Sequence, residues 1–202
     1  MNKDYKMSAA GSIPTLHIAY GVPGSGKTTR FEKEKKLNNG QRWEADDYPE
    51  LYINGVFNPQ MLPKAHEWCQ KNVEKSILNG TVDIYQSNTN LNPRDMIPYL
   101  MMAQKYGYDV NIVFPLGFHK ALLHYEVDVE VDHAIKVLEN RSGSIEGQKK
   151  IPTFAMNKMI ALFNKNILAL KSIQGNLTAN NNPQYWLSEI NRVFPKTKFD
   201  IY

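Results

Sequence analysis

Eight consecutive residues constrain this chain more than any other stretch: Gly21-Val22-Pro23-Gly24-Ser25-Gly26-Lys27-Thr28 matches G-x-x-x-x-G-K-[ST] without a gap. The spacing has a chemical reason. Glycines let backbone N–H groups curl around a β-phosphate, and the helix that follows presents its positive end. The lysine reaches the β- and γ-phosphates, and the hydroxyl after it coordinates Mg²⁺. The flanks agree with this reading, because Thr15 to Tyr20 (TLHIAY) is a short apolar, β-prone run and TTRFEKEKKL beyond the loop has helical character. A chance glycine turn is the competing reading, and a strand before it with a helix after it argues against chance. The motif nominates Gly21, Pro23, Gly24, Ser25, Gly26, Lys27, Thr28 and Thr29 for the phosphates of ATP, with Thr28 on Mg²⁺.

Strands and helices continue to alternate downstream. Gln41 to Ala45 (QRWEA) predicts a second strand that ends in Asp46 and Asp47, and Leu62 to Leu78 has the length and spacing of a helix closed by Asn79 and Gly80. Thr81 to Gln86 reads as a third strand, Asn92-Pro93 as the start of a helix over Pro93 to Tyr106, and Asp109 to Phe114 as a fourth strand. This alternation implies an α/β fold, a three-layer α/β/α P-loop NTPase sandwich with a parallel sheet.

After Pro115 the pattern changes. Glu126, Asp128, Glu130 and Asp132 share one face if that stretch is extended, which fits a metal site, a solvated strand edge or a helix start. Arg141 to Lys150 is polar with two glycines and predicts a mobile lid over about 139–152. Thr153 to Ser172 returns to helical spacing, the Asn-rich NLTANNNP breaks it, a last helix falls near Gln184 to Val193, and PKTKFDIY is a final strand or tail.

At 202 residues and 42% hydrophobic content, the chain suits a single domain over 1–202, with a basic helical part over 153–202. No run approaches the roughly 18 apolar residues of a membrane span, and MNKDYKMSAAGS lacks a signal-peptide core, so a cytoplasmic protein without a membrane partner is expected. Cys69, the only cysteine, has no internal disulfide partner. The net charge is +4, yet residues 149–202 carry eight Lys or Arg against Glu189 and Asp200, so that segment is +6 and the rest −2. Such a basic stretch suits a polyphosphate partner such as nucleic acid; lysines on solvated helix faces are the plainer reading.

The loop alone does not name the acceptor of the phosphate. Asp46 and Asp47 fall at the expected C-terminal end of the second strand, the edge of an open α/β sheet where ligands bind. A carboxylate there can take the proton of an attacking hydroxyl, and it can equally cap a helix or a turn. No histidine pair has metal-ligand spacing, so His17 and His66 read as core or surface residues.

Taken in order, GVPGSGKTT, ADDY at Ala45 to Tyr48, SNTNLNP at Ser87 to Pro93, and a loop from Arg141 to Ile151-Pro152 resemble the kinase domain of bacteriophage polynucleotide kinases. The chain is also similar to related P-loop kinase domains of cyclic-nucleotide phosphodiesterases, and to animal proteins with segments like FNPQMLPKAHEWCQK. The likeness covers about residues 15–165, and DDY and TNLNP are its more specific elements. The resemblance implies transfer of the γ-phosphate of ATP to a hydroxyl, foremost the 5′-OH of DNA or RNA. It implies that Lys27 and Thr28 serve ATP and Mg²⁺, that Asp46 is the general base with Asp47 beside it on the substrate, and that Arg141 is a lid arginine on the phosphates. Thr89 and Asn90 would line the acceptor side; a turn capping the next helix is the alternative for both.

Three departures stand out. Asn88 occupies a position where many members have Asp, so no apolar strand ends in a magnesium-organising carboxylate. Pro49 follows DDY where the bacteriophage enzymes have an arginine for the acceptor's phosphate. The lid lacks a second arginine, with Glu146 near that place and Lys149 and Lys150 beyond it. These keep two alternatives open: a kinase of another hydroxyl, such as a hydroxymethylated pyrimidine in DNA, a nucleoside or a nucleotide sugar, and a nucleotide-binding adaptor with little catalysis.

Overall fold

Alternate residues of the first strand already require a sheet covered on both sides. Leu16 and Ile18 point to one face and His17 and Ala19 to the other, and each set meets buried partners. The computed structural model describes residues 13–54, 56–114, 136, 151, 153–175 and 181–196. In chain order its elements are β1 (Thr15–Ala19), α1 (Lys27–Asn38), β2 (Gln41–Trp43), the hairpin β3 (Tyr52–Ile53) and β4 (Val56–Phe57), and α2 (Leu62–Leu78). There follow β5 (Asp83–Gln86), α3 (Ile97–Tyr106), β6 (Asp109–Val113), α4 (Thr153–Gln174) and α5 (Pro183–Val193).

Four strands form a parallel sheet in the order β2-β5-β1-β6. Phe31 of α1 packs with Ala19, Tyr85 and Val113 on one face. On the other, α2 and α3 bury Cys69, Val73, Leu100 and Ala103, and the same cluster takes in Phe163 and Ile167 of α4 and Trp186 and Ile190 of α5. This is the expected α/β sandwich with helices on both sides of a parallel sheet. Because β1 lies between β5 and β6, the chain reverses its winding at β1, and the crevice of such a sheet opens at the C-terminal ends of the strands around that point.

Local chemistry explains the boundaries. Asn182 accepts from the Gln184 amide at 2.8 Å with Pro183 behind it, so α5 starts on a side-chain cap and a proline. Gly107, at φ 73, ends α3 in a left-handed turn. At β6, the last strand of the sheet among the described residues, the Val110 amide donates to the Asn181 carbonyl at 2.9 Å and Gln174 Nε2 to the Ile112 carbonyl at 3.1 Å. Those bonds satisfy edge groups that would otherwise pair with another chain.

The structure corrects two boundaries and adds a hairpin. The helix expected over Pro93 to Tyr106 opens as a 3-10 turn over Pro93–Met96 and becomes α-helical only at Ile97, since Pro98 has no N–H to bond back to residue 94. The second strand stops at Trp43, and Ala45–Asp47 is a 3-10 turn. The β3–β4 hairpin leaves no periodic trace in the sequence, since its strands have two residues each, although Asn54-Gly55 is a hairpin dipeptide. The acidic stretch Glu126 to Asp132, the lid region apart from Ile151 and Thr153 onward, and the end of the PKTKFDIY tail lie outside the described residues. In the basic C-terminal part Lys158, Lys165 and Lys196 are exposed, and Arg192 pairs with Glu189 at 2.6 Å.

Candidate active site

The loop after β1 is held from both neighbouring strands. The Tyr20 amide donates to the Val113 carbonyl at 2.9 Å and the Gly21 amide to the Thr89 carbonyl at 3.0 Å. Gly24 (φ 81) and Gly26 (φ 87) adopt left-handed conformations that an L side chain would strain, which is why glycine stands at both. From there α1 opens at Lys27 with no acidic residue in its first turn, leaving its positive end uncompensated by the helix itself. Lys27 Nζ folds back to the Val22 carbonyl at 2.8 Å. Ser25 Oγ is buried without a hydrogen-bond partner among the described residues, an orphaned polar atom in the loop's own wall. Ser25, Gly26, Lys27, Arg30 and Phe31 also line a small pocket closed by Phe114. Pro23 is half-buried and Thr29 exposed. An oxyanion fits here, because left-handed glycines, a helix start and an unpaired hydroxyl all favour one.

Beside this loop the end of β2 delivers a group of charges that sequence reasoning did not assemble. Thr28 Oγ1 donates to Glu44 Oε2 at 2.9 Å, and the same oxygen accepts from Arg42 Nη1 at 2.7 Å and from Ser87 Oγ at 2.8 Å. Arg42 also holds Glu32 of α1 at 2.5 Å and Asp47 at 2.8 Å. Burial works against the charge of Arg42, but its carboxylate partners, Glu32 foremost, outweigh it and raise its pKa above the ordinary value. Reciprocally, the hydrogen bond from Arg42 and then that from Lys35 hold Glu32 below the usual carboxylate range. The signal that could have pointed to this cluster is the alternation of Arg42, Trp43 and Glu44. In a strand the two charged residues share a face, toward α1, while Trp43 points away and donates to Ser76 of α2 at 2.8 Å.

The two adjacent acids have different surroundings. Asp47 is exposed and tied to Arg42, whereas Asp46 is half-buried and interacts electrostatically with Tyr52 of β3 and His66 of α2. Burial, then the charges of Asp46 and Glu44, push the Tyr52 phenol far above its ordinary value. His66 is held below its ordinary value by burial, against the pull of Asp46.

Asn88 and Asn90 both turn inward. Asn88 Oδ1 accepts from the Ala45 amide at 2.7 Å while its Nδ2 donates to the Tyr99 hydroxyl at 3.3 Å, and the side chain is 7% exposed. It thereby pins the turn that carries Asp46, a task needing an acceptor and a donor on one side chain. Asn90, left-handed at φ 49 and 2% exposed, donates to the Ala19 carbonyl and to Gln86 Oε1, both at 2.6 Å. It locks the loop after β5 to the end of β1. Between them Thr89 is half-buried, and its carbonyl is the one that anchors Gly21. The cap of the following turn is supplied by Asn92, which accepts from the Arg94 amide at 3.2 Å. The structure thus brings Lys27, Thr28, Asp46, Asp47, Thr89 and Asn90 to one edge of the sheet; Arg141 lies outside the described residues.

A parallel β2-β5-β1-β6 sheet, a glycine loop after β1 and a helix opening on lysine and threonine define a P-loop NTPase fold. No family model matches the chain. NEDD4-binding protein 2 of Homo sapiens is 37% identical over 108 residues, which is 52% of this chain and 6% of that protein. Among solved structures, a chain of the Pnkp1/Rnl/Hen1 RNA repair complex superposes with a TM-score of 0.60 at 20% identity, covering 80% of this chain and 47% of its own. This chain thus spans about half or less of the proteins it is similar to, and the superposition establishes the fold.

Proposed function

We propose that this chain transfers the γ-phosphate of ATP to a hydroxyl, with the 5′-OH of a DNA or RNA end as the preferred acceptor. The observation that carries the reading is the bond between Thr28 and Glu44 at 2.9 Å, which fastens the phosphate loop to the segment bearing Asp46. Donor site and candidate base therefore belong to one rigid unit, and in-line transfer needs that proximity. Support for a nucleic acid comes from the DDY and TNLNP segments, from the exposed lysines of α4, and from the superposition on a chain of an RNA repair complex.

ATP with Mg²⁺ supplies the phosphoryl group and its countercharge. Lys27 and the amides of Gly24 to Thr28 would bind the phosphates, the buried Ser25 hydroxyl offers a further donor within the loop, and Thr28 would hold the metal. Asp46 accepts the proton of the acceptor hydroxyl, and Asp47 stays fixed by Arg42 at its side. Thr89 would contact the acceptor from a loop that Asn90 holds in place. Arg141 adds positive charge to the transferring oxygens. Pro49 is exposed where a guanidinium is expected, and this favours the second reading, a hydroxyl on a modified base, nucleoside or nucleotide sugar.

The test is transfer of labelled γ-phosphate to 5′-OH DNA, 5′-OH RNA, hydroxymethyl-pyrimidine DNA, nucleosides and a nucleotide sugar, with Lys27→Ala as control. Label on 5′-OH ends that is lost in Lys27→Ala supports the proposal. Label on another acceptor selects the second reading, and ATP binding without label on any acceptor refutes both in favour of an adaptor.

A further inference from the structure

We infer that Glu44 is the carboxylate that organises the Mg²⁺ accompanying ATP, acting with Thr28 from the end of β2. The inference rests on the proposed ATP-dependent transfer. It also resolves the missing acid of the β5 end, where the strand closes on Gln86 and the following positions are Ser87 and Asn88.

Three observations converge on Glu44. Its contact to Thr28 is direct, and Thr28 is the hydroxyl that the loop motif assigns to the metal. Its orientation is fixed from two strands, since Arg42 of β2 and Ser87 after β5 both donate to Oε2, while Oε1 accepts no hydrogen bond among the described residues. Outer partners of this kind orient the groups that meet a metal. The local charge is the third. Glu32, Glu44 and Asp47 surround Arg42, with Lys35 the one further cation on Glu32 among the described residues, so this group carries a net negative charge beside the place for a polyphosphate. A carboxylate there repels phosphate unless a divalent cation sits between them, and Mg²⁺ is commonly held by one carboxylate, a hydroxyl and the phosphates themselves. Arg42 does not need Glu44 as a counterion, because Glu32 and Asp47 already serve it.

The experiment is calorimetric binding of ATP in EDTA and across a Mg²⁺ series, for the wild type and Glu44→Gln. The expected result is tighter ATP binding by the variant in EDTA, where the carboxylate's repulsion is gone, and a Mg²⁺ midpoint raised roughly 10-fold or more in the variant. An unchanged midpoint in Glu44→Gln, with Mg²⁺-dependent binding intact in the wild type, overturns the inference and leaves the proposed function standing. No ATP binding by the wild type overturns both. A second measurement covers a variant that fails to fold: wild-type protein with ATP and Fe²⁺ in place of Mg²⁺, treated with ascorbate and peroxide to cleave the backbone near the metal. ATP-dependent cleavage at both residues 27–29 and 43–46 supports the assignment, and cleavage confined to 27–29 refutes it.

Discussion

Asn88→Asp places the carboxylate that the family resemblance leads one to expect, and the structure predicts that it harms the protein. The native amide is buried, accepts from Ala45 N–H at 2.7 Å and donates to Tyr99 at 3.3 Å and, more weakly, toward Cys69 Sγ at 3.8 Å. Aspartate keeps the first bond and loses the donors. It also buries a charge near Glu44 and Asp47, both of which act electrostatically on Cys69. Its carboxyl pKa is therefore expected to rise on folding, since burial and like charges both disfavour the ionised form.

The sign follows from linkage. A carboxyl with a raised folded pKa binds more protons when native, so the variant loses stability as pH rises above the unfolded carboxyl value of about 4. Truncation serves as the reference: Asn88→Ala leaves the Ala45 amide unpaired and removes the Tyr99 contact, costing about 2–4 kcal/mol at any pH. Urea unfolding followed by tryptophan fluorescence at pH 5 and pH 8 measures both. Asn88→Asp should be clearly less stable at pH 8 than at pH 5 relative to the wild type. Wild-type stability at pH 8, or faster transfer at low Mg²⁺, would refute the view that Asn88 positions the Asp46 turn.

Other perturbations probe separate parts of the account. Gly26→Ala meets no atom within 4 Å of the new Cβ but must hold φ +87, so a cost of about 1–2 kcal/mol and a melting point lower by several degrees are expected. Because burial keeps the pKa of His66 below 6.5, the unfolded chain takes up the proton first as pH falls. Wild-type stability should thus decline from pH 7 toward pH 5, and His66→Gln should flatten that decline in urea titrations. Phe163→Ala removes a fully buried ring stacked 5.6 Å from Tyr20; a loss of about 3–5 kcal/mol in one cooperative transition would show that α4 belongs to the same folding unit as β1.

The parts of the fold that were legible in the sequence are those written in local periodicity. The phosphate loop, α2 over Leu62–Leu78 and the core strands each carry their signal within a few residues of themselves. What escaped depends on pairings across the sheet. Glu44 reads as one more charge in QRWEADD until folding brings it to Ser87, 43 residues away, and to Thr28, 16 residues back. Asn88 reads as a weakened acid in the sequence because its partner, the Ala45 amide, is equally remote along the chain. Asn90 reads from the sequence as an acceptor-side or turn residue, and its bonds to Ala19 and Gln86 join two strand ends. Buried amides of this type are indistinguishable from surface turn residues until the loops around them are packed.

The central claim is that one edge of the sheet holds ATP on the loop and a proton acceptor at Asp46. The most direct measurement is the pair of values for Asp46→Asn: the affinity for ATP with Mg²⁺, and the rate of γ-phosphate transfer to a 5′-OH oligonucleotide. The account predicts affinity within about twofold of the wild type and transfer slower by roughly 10²–10⁴-fold, the usual contribution of a positioned base. Transfer at the wild-type rate would contradict it.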